Sequence, residues 1–306
     1  MGKIVTACAI NAPDSCLEKE RQKMKKRDIH IWRRTMQTGV AALFIVLPIL
    51  NASGFIFIWG NFLNIHVGSL TFSDPLAVLQ VIVKNQYMPL GLLISAGMVL
   101  AIAFCLGTVF CSWVCPFGLL SELVNKLACR IRPRKFNGST ISKNGFTAKA
   151  IGFCAIFLLF WSIFNSPVLN RVSLPFQYSN IFQYFFIHQY LSGAIWFIGV
   201  ILLLEFAFRT RLWCRWICPQ SVLLSVAKLL NPFRLKVVFE KERCVGSNAL
   251  SPCQKACSLD LDPRRLNGWI EAECTNCGDC VDACGKTGGA LGFTFGQSCR
   301  QSITKV

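Results

Sequence analysis

Two eleven-residue segments, FCSWVCPFGLL over 110–120 and WCRWICPQSVL over 213–223, align without gaps at an offset of 103 residues. Each follows a long apolar stretch and leads into a Leu-rich amphipathic segment. Such a repeat commits the chain to two copies of one supersecondary unit, related by an axis that brings equivalent residues together. Each copy carries a CxxxCP motif, Cys111/Cys115 before Pro116 and Cys214/Cys218 before Pro219. At helical spacing, residues four apart share a face, so each pair is expected to present both sulfurs together. The prolines are expected to end the helix or re-aim the chain. Four such thiols meeting at one place would suit a further iron–sulfur cluster or another metal. The alternative is that they pack as small apolar residues.

Four apolar stretches, at about 35–59, 88–110, 150–167 and 191–208, approach or exceed the roughly 20 residues that cross a bilayer core. Only 15% of the 306 residues are charged and 53% are apolar, with a mean hydropathy of +0.48; a soluble domain carries about 25% charge. The predicted fold class is an all-α polytopic membrane domain of four transmembrane helices in two repeated hairpins, followed by a small α+β ferredoxin-like domain. The expected divisions are a basic cytoplasmic tail over 1–34 and a transmembrane domain over 35–208, with the first CxxxCP motif at its 112–149 cytoplasmic loop. A cytoplasmic region over 209–306 carries the second motif and the ferredoxin-like domain.

Residues 1–34 hold nine Lys and Arg, 112–149 seven and the tail after 208 fourteen, whereas 61–87 and 168–190 hold one each, Lys84 and Arg171. This asymmetry predicts a multi-pass protein of a bacterial inner membrane with both termini cytoplasmic. The net charge of +17 is read as contact with membrane lipid or an acidic partner, not nucleic acid. No cleavable signal peptide is apparent, and the myristoylation-like start MGKIVT is read as chance. SDPLAVLQVIV, over 73–83, predicts an interfacial or re-entrant helix capped by Ser73 or Asp74, with Pro75 in its first turn. The aromatic run FQYSNIFQYFFIHQY, over 176–190, suits either an interfacial belt or a quinone-binding surface.

Seventeen cysteines in short clusters beside apolar spans point to metal rather than disulfides. CTNCGDCVDAC places Cys274, Cys277, Cys280 and Cys284 at the spacing that wraps a loop around a cubane iron–sulfur cluster, the fourth cysteine crossing to a second cluster. Zinc sites usually pair two separated CxxC knuckles instead, and Gly285 stands where a proline usually follows. The earlier run CVGSNALSPCQKAC keeps Cys244, Cys253 and Cys257, with eight residues between the first two. Crossed ligation assigns Cys274, Cys277, Cys280 and Cys257 to a 4Fe–4S cluster. It assigns Cys244, Cys253 and Cys284 to a second cluster, 3Fe–4S or 4Fe–4S with a non-cysteine ligand. Simple loss of that second cluster is the bland alternative. Its spacing resembles that of seven-iron ferredoxins.

The remaining candidates are weaker. Cys105 and Cys154 read as packing residues, and Cys8, Cys16, Cys129 and Cys299 lack partners at useful spacing. Glu205, an acid inside an apolar stretch, suits an ion pair with Arg209 or proton handling. His30, His66 and His188 are isolated. No nucleotide-binding, hydrolase or haem motif is present, and no catalytic residues are expected.

FCSWVCPFGLLSEL, WCRWICPQSVLLSVAKLLNPF, ECTNCGDCVDAC and DPLAVLQ together resemble signature segments of the NapH/YccM-type membrane-bound polyferredoxins, from about residue 30 onward. The missing second cysteine of the opening motif is the main departure. The resemblance implies four spans, two cytoplasmic cubane clusters and electron transfer within a quinol-oxidising complex that has an iron–sulfur partner. The expected function is therefore electron transfer between the quinone pool and a soluble or membrane redox partner protein. Two other classes fit the motifs: a copper reductase or cofactor-assembly factor of the CcoG type, and a structural or sensory iron–sulfur anchor.

Overall fold

The computed structural model describes residues 26–54, 57–85, 90–132, 145–164, 169–244, 251–266, 268–286 and 288–295. The start of the basic tail, with Cys8, Cys16 and MGKIVT, lies outside the described residues, as does Cys299.

Helix α1 (Lys26–Ala52) buries Arg33, Gln37, Ala41, Phe44 and Leu47. Steps of four, four, three and three residues place these side chains on one stripe. The stripe meets Phe62, Phe117, Leu174 and Tyr178 in the main core, and the Tyr178 hydroxyl donates to the Ala41 carbonyl at 3.3 Å. The opposite face exposes Trp32, Met36, Val46 and Ile49.

Strands β1 (Ile58–Asn61), β2 (Asn64–Val67) and β3 (Leu70–Ser73) follow as an antiparallel meander. Asn61 closes the first hairpin by accepting the backbone N–H groups of Leu63 and Asn64, the usual way asparagine stabilises a turn. Asp74 then accepts the Leu76 N–H at 3.0 Å, so helix α2 (Pro75–Asn85) starts at an acidic cap with proline in its first turn.

Each repeat has the same local course. In the first, helix α3 (Leu90–Leu106) ends at Gly107, whose φ of +77 continues no helix, and a short helix α4 (Val109–Trp113) carries Cys111. Helix α5 (Pro116–Ile131) begins after Cys115, with its proline at the first helical position. After helices α6 (Gly145–Phe164), α7 (Leu169–Val172) and α8 (Leu174–His188), the second repeat begins with helix α9 (Ala194–Phe208). Arg209, in the left-handed region, stops that helix. A π-helical turn, Trp213–Ile217, precedes helix α10 (Pro219–Leu230). The remainder comprises strand β4 (Leu235–Phe239), short helices α11 (Pro252–Ala256), α12 (Gly268–Glu273) and α13 (Asp279–Gly285), and strand β5 (Leu291–Phe295) antiparallel to β4.

This architecture corrects the expected fold class. Among the described residues one helix, His30–Ala52, is long and apolar enough to cross a membrane. The apolar helical stretches Leu90–Leu106, Gly145–Leu158 and Ala194–Phe208 are shorter. The fifteen and seventeen residues of α9 and α3 rise about 22–25 Å, short of a hydrocarbon core of about 30 Å. Hydropathy alone saw longer runs because it cannot register the stop at Gly107 or the start of α9 at Ala194. The expected first span also ran on to Trp59, which lies in β1. Nor does the tail form a clear ferredoxin-like domain. Two strands and helices of five to seven residues enclose only a small core, with Val237, Ala290, Leu291 and Phe293 around cysteines, and the cysteine-bearing segments lean on the repeats.

Candidate metal centre

The two CxxxCP motifs do not form simple α-turns. The Cys115 N–H reaches the Phe110 carbonyl at 3.1 Å, and the Cys218 N–H reaches the Trp213 carbonyl at 2.8 Å. Both bonds span five residues and occupy equivalent positions of the repeat. The turn is thus wider than the expected α-helical one in both copies, a feature common at functional sites. Gly118 packs against this turn: a Cβ there would stand 2.6 Å from the Cys111 carbonyl oxygen. At the equivalent position of the second repeat, Ser221 donates to the Cys218 carbonyl and bonds Lys149.

Cys111, Cys115, Cys214 and Cys218 line one cavity, together with Phe110, Phe117, Lys149 and Trp213. All four are free thiols. Cys115 stands at the N-terminus of α5 and accepts the Gly118 N–H at 3.4 Å, while Arg211 donates to the Cys214 sulfur at 3.5 Å. Lys149 donates to the Cys214 carbonyl at 2.7 Å. Burial pushes the Cys111 thiol up to about 12 and Cys214 up to about 11, and Cys115 upward as well. These groups need a bound cationic centre to become thiolates.

The donor set fits such a centre. Trp213 Nε1, Gln220 Nε2 and the Thr275 hydroxyl are buried without partners and belong to residues lining this cavity. Buried donors of this kind normally find acceptors, and sulfur-rich centres are tuned by hydrogen bonds to sulfur. Among the described residues, no group of three or more His, Cys, Asp or Glu is arranged for a single metal ion.

A second set forms at the tail. Cys257, Cys274, Cys277 and Cys280 line one further cavity, with Val237, Leu259 and Leu261. Burial pushes the thiols of Cys277 and Cys280 up, and the Leu261 N–H points at the Cys257 sulfur at 3.4 Å. Cys253 and Cys284 are within electrostatic reach of each other and share a small core against which Cys244 packs. Ser251 lies 3.1 Å from the Cys253 sulfur. The chain between Cys244 and Ser251 is outside the described residues. Among the described residues three thiols stand apart: Cys105 and Cys154 are exposed, and Cys129 reaches Asn125 Oδ1 at 3.8 Å.

Equivalent positions of the two repeats hold the two segments that carry the second set. Thr108 donates to the Cys274 carbonyl at 2.7 Å, and its counterpart Arg211 gives its backbone N–H to Ser258 at 3.3 Å. Ser112 donates to the Thr275 carbonyl at 2.7 Å, and its counterpart Arg215 donates to the Leu259 carbonyl at 3.0 Å. One repeat therefore grips the loop after Cys274, and the other grips the loop after Cys257. Asn276, at a φ of 51, adds bonds from its side chain to the Leu106 and Leu235 carbonyls.

Charged side chains complete the frame. Buried Arg33 of α1 donates to the Cys277 carbonyl at 3.0 Å and to Glu122 and Asp279 at 2.8 Å. Its guanidinium, with Arg211, Arg34 and Lys126, outweighs desolvation and lowers the Glu122 carboxyl to about 2. Glu205 accepts from Ser121 and from the Trp213 N–H, bracing the second motif from the end of α9. None of Arg33, Thr108, Ser112 or Lys228 was singled out from the sequence. Only the offset of 103 residues, applied to Thr108/Arg211 and Ser112/Arg215, offered a signal.

The 4Fe-4S binding domain family matches residues 88–137 and 190–235, the two stretches that carry the CxxxCP motifs. The chain is 31% identical over 206 residues to YccM of Escherichia coli, which has electron transport in its name. That match takes in 62% of this chain and 54% of YccM, so the chain spans about half the length of that relative. The ferredoxin-type protein NapH of Haemophilus influenzae is 23% identical over 83% of this chain and 85% of its own. The regulatory protein NosR of Pseudomonas aeruginosa is 28% identical over 56% of this chain and 23% of its own. No solved structure matches the chain. The chain thus carries a match to the 4Fe-4S binding domain family in each repeat and is similar to proteins of the NapH/YccM type.

Proposed function

We propose that this protein is held in a bacterial inner membrane and passes electrons between the quinone pool and a redox partner at the cytoplasmic face. In this reading Cys111, Cys115, Cys214 and Cys218 hold one iron–sulfur cluster. Cys257, Cys274, Cys277 and Cys280 hold a 4Fe–4S cluster, and Cys244, Cys253 and Cys284 hold another, of 3Fe–4S or 4Fe–4S type. Such clusters supply one-electron transfer; the chain's own residues bury the thiols, aim N–H groups at sulfur and exclude water.

The observation that carries the reading is a shared wall. The cavity lined by the four CxxxCP thiols is also lined by Glu273 and Thr275, the neighbours of Cys274 in the other set. Adjacent redox sites of this kind suit relay of electrons rather than substrate chemistry.

Membrane attachment is supported by the apolar helix His30–Ala52 and by the outward faces of α3 and α9. Trp196 is 80% exposed and Leu203 68%. Apolar side chains bared on this scale mark a lipid or protein contact. The N-terminal end of the spanning helix meets the cysteine-bearing tail through Arg33, and the basic tail marks that side as cytoplasmic.

Anaerobic purification, iron and sulfide counts, EPR and quinol-driven reduction in reconstituted membranes test the proposal. Reduction of the clusters by quinol is the expected result. Clusters that stay oxidised beside a quinol pool would refute the quinone role. Copper binding that disappears in Cys111→Ser and Cys214→Ser, without iron at that site, would refute the third cluster.

A further inference from the structure

The strongest unassigned feature is a buried lysine on the backbone of the segment that leads into Cys274. Lys228 of α10 is 0% exposed. Its ammonium donates to the carbonyls of Cys274 and Glu271, each at 2.7 Å. The Glu271 carboxylate, the nearest anion along that segment, is taken by Arg234 at 2.8 Å. Among the described residues no carboxylate forms an ion pair with Lys228, so its direct partners are backbone carbonyls. It lies within electrostatic range of both Cys274 and Cys111, one thiol from each set.

The repeat makes this placement asymmetric. At the offset of 103 residues the counterpart of Lys228 is Asn125, so the equivalent helix has no cation there. The surroundings leave the ammonium little room to turn away. A Cβ on Gly107 would stand 3.4 Å from the Lys228 side chain and 2.9 Å from Asn276 Nδ2.

We infer that Lys228 is the positioning cation that sets the reduction potential of the cluster held by Cys257, Cys274, Cys277 and Cys280, acting through its place on the Cys274 carbonyl. The inference rests on the cluster assignment proposed above. One-electron reduction adds negative charge beside Cys274, and a buried cation there stabilises the reduced form more than the oxidised one. Because Thr108 donates to the same Cys274 carbonyl as a neutral group, anchoring and charge can be separated.

The test is a potentiometric titration followed by EPR on the full chain, purified anaerobically, at one fixed pH. Lys228→Met is expected to move the midpoint of that cluster to a more negative potential at unchanged iron content. Lys228→Arg is expected to stay near the wild-type value, and Thr108→Ala to move it less than Lys228→Met. A Lys228→Met protein titrating at the wild-type potential would overturn the inference, as would an equal shift in Thr108→Ala. Should Lys228→Met fail to assemble the cluster, Lys228→Gln replaces it, and a wild-type midpoint there overturns the inference. If neither neutral variant assembles while Lys228→Arg does, the residue is structural and the inference also falls. Absence of the cluster from the wild-type protein would instead sink the proposed cluster assignment.

Discussion

Replacing Arg33 with methionine removes the tie between α1, α5 and the loop after Cys277. The guanidinium is fully buried and satisfies the Cys277 carbonyl, Glu122 and Asp279 together. Methionine keeps much of the volume but leaves the carboxylates to their other partners. Glu122 retains Arg34 at 2.7 Å and Lys126 at 3.4 Å. Among the described residues Asp279 keeps one ion-pair partner, His30 at 4.0 Å, so the uncompensated charge falls chiefly on Asp279. Breaking a buried pair by removing one partner costs about 3–5 kcal/mol. The charges left around Glu122 place this case at the low end, about 3 kcal/mol. For a chain of this size that is a fall in Tm of about 6–12 °C. Calorimetry of the holoprotein in detergent measures it. Adding Asp279→Asn to Arg33→Met should recover about 1 kcal/mol or more, since neighbours in one network couple by about 0.5–3 kcal/mol. An Arg33→Met protein within about 0.5 kcal/mol of wild type, or a double variant no better than the single one, would refute the reasoning.

Gly118→Ala should strip the CxxxCP site of iron and cost about 1–3 kcal/mol, because its Cβ meets the Cys111 carbonyl rather than a movable side chain; iron counts and thermal unfolding check both. Cys257→Ser should abolish the EPR signal of the cluster at Cys274, Cys277 and Cys280, whereas Cys253→Ser should leave that signal intact. Asp74→Asn should stabilise the protein near pH 7.5 and have little effect near pH 3. Burial raises the Asp74 carboxyl from 3.8 to about 6, so its cost is absent below 3.8, grows as pH rises to about 6 and stays constant above, reaching about 3 kcal/mol. Glu122 acts in the opposite sense. With its carboxyl held near 2 instead of 4.5, its stabilisation is complete above about 4.5 and is lost as pH falls toward 2, so Glu122→Gln should flatten the acid limb of the unfolding curve.

The sequence alone determined the chemistry. Sulfur spacing is a local property, so C-x2-C-x2-C-x3-C reads as an iron–sulfur motif, and two CxxxCP motifs at a fixed offset as a further cluster or metal site, without tertiary information. The offset also identified Pro116 and Pro219 as equivalent, and both start a helix. The crossed partner of the last motif was legible for the same reason, and Cys257 does line the cavity of Cys274, Cys277 and Cys280. What only the tertiary structure decided concerns where helices stop and which distant groups meet. Hydropathy counted four long apolar runs, but a left-handed Gly107, the β1–β3 meander and the start of α9 at Ala194 shorten three of them. Backbone conformation at single residues leaves no mark in an average over twenty. Likewise Arg33 and Cys277 are 244 residues apart, and Lys228 and Cys274 are 46 apart. A lone basic residue in an amphipathic helix reads as a solvated charge until packing seals it against carbonyls. The ligands were local and therefore readable; the charges around them are set by long-range burial, which only the folded chain creates.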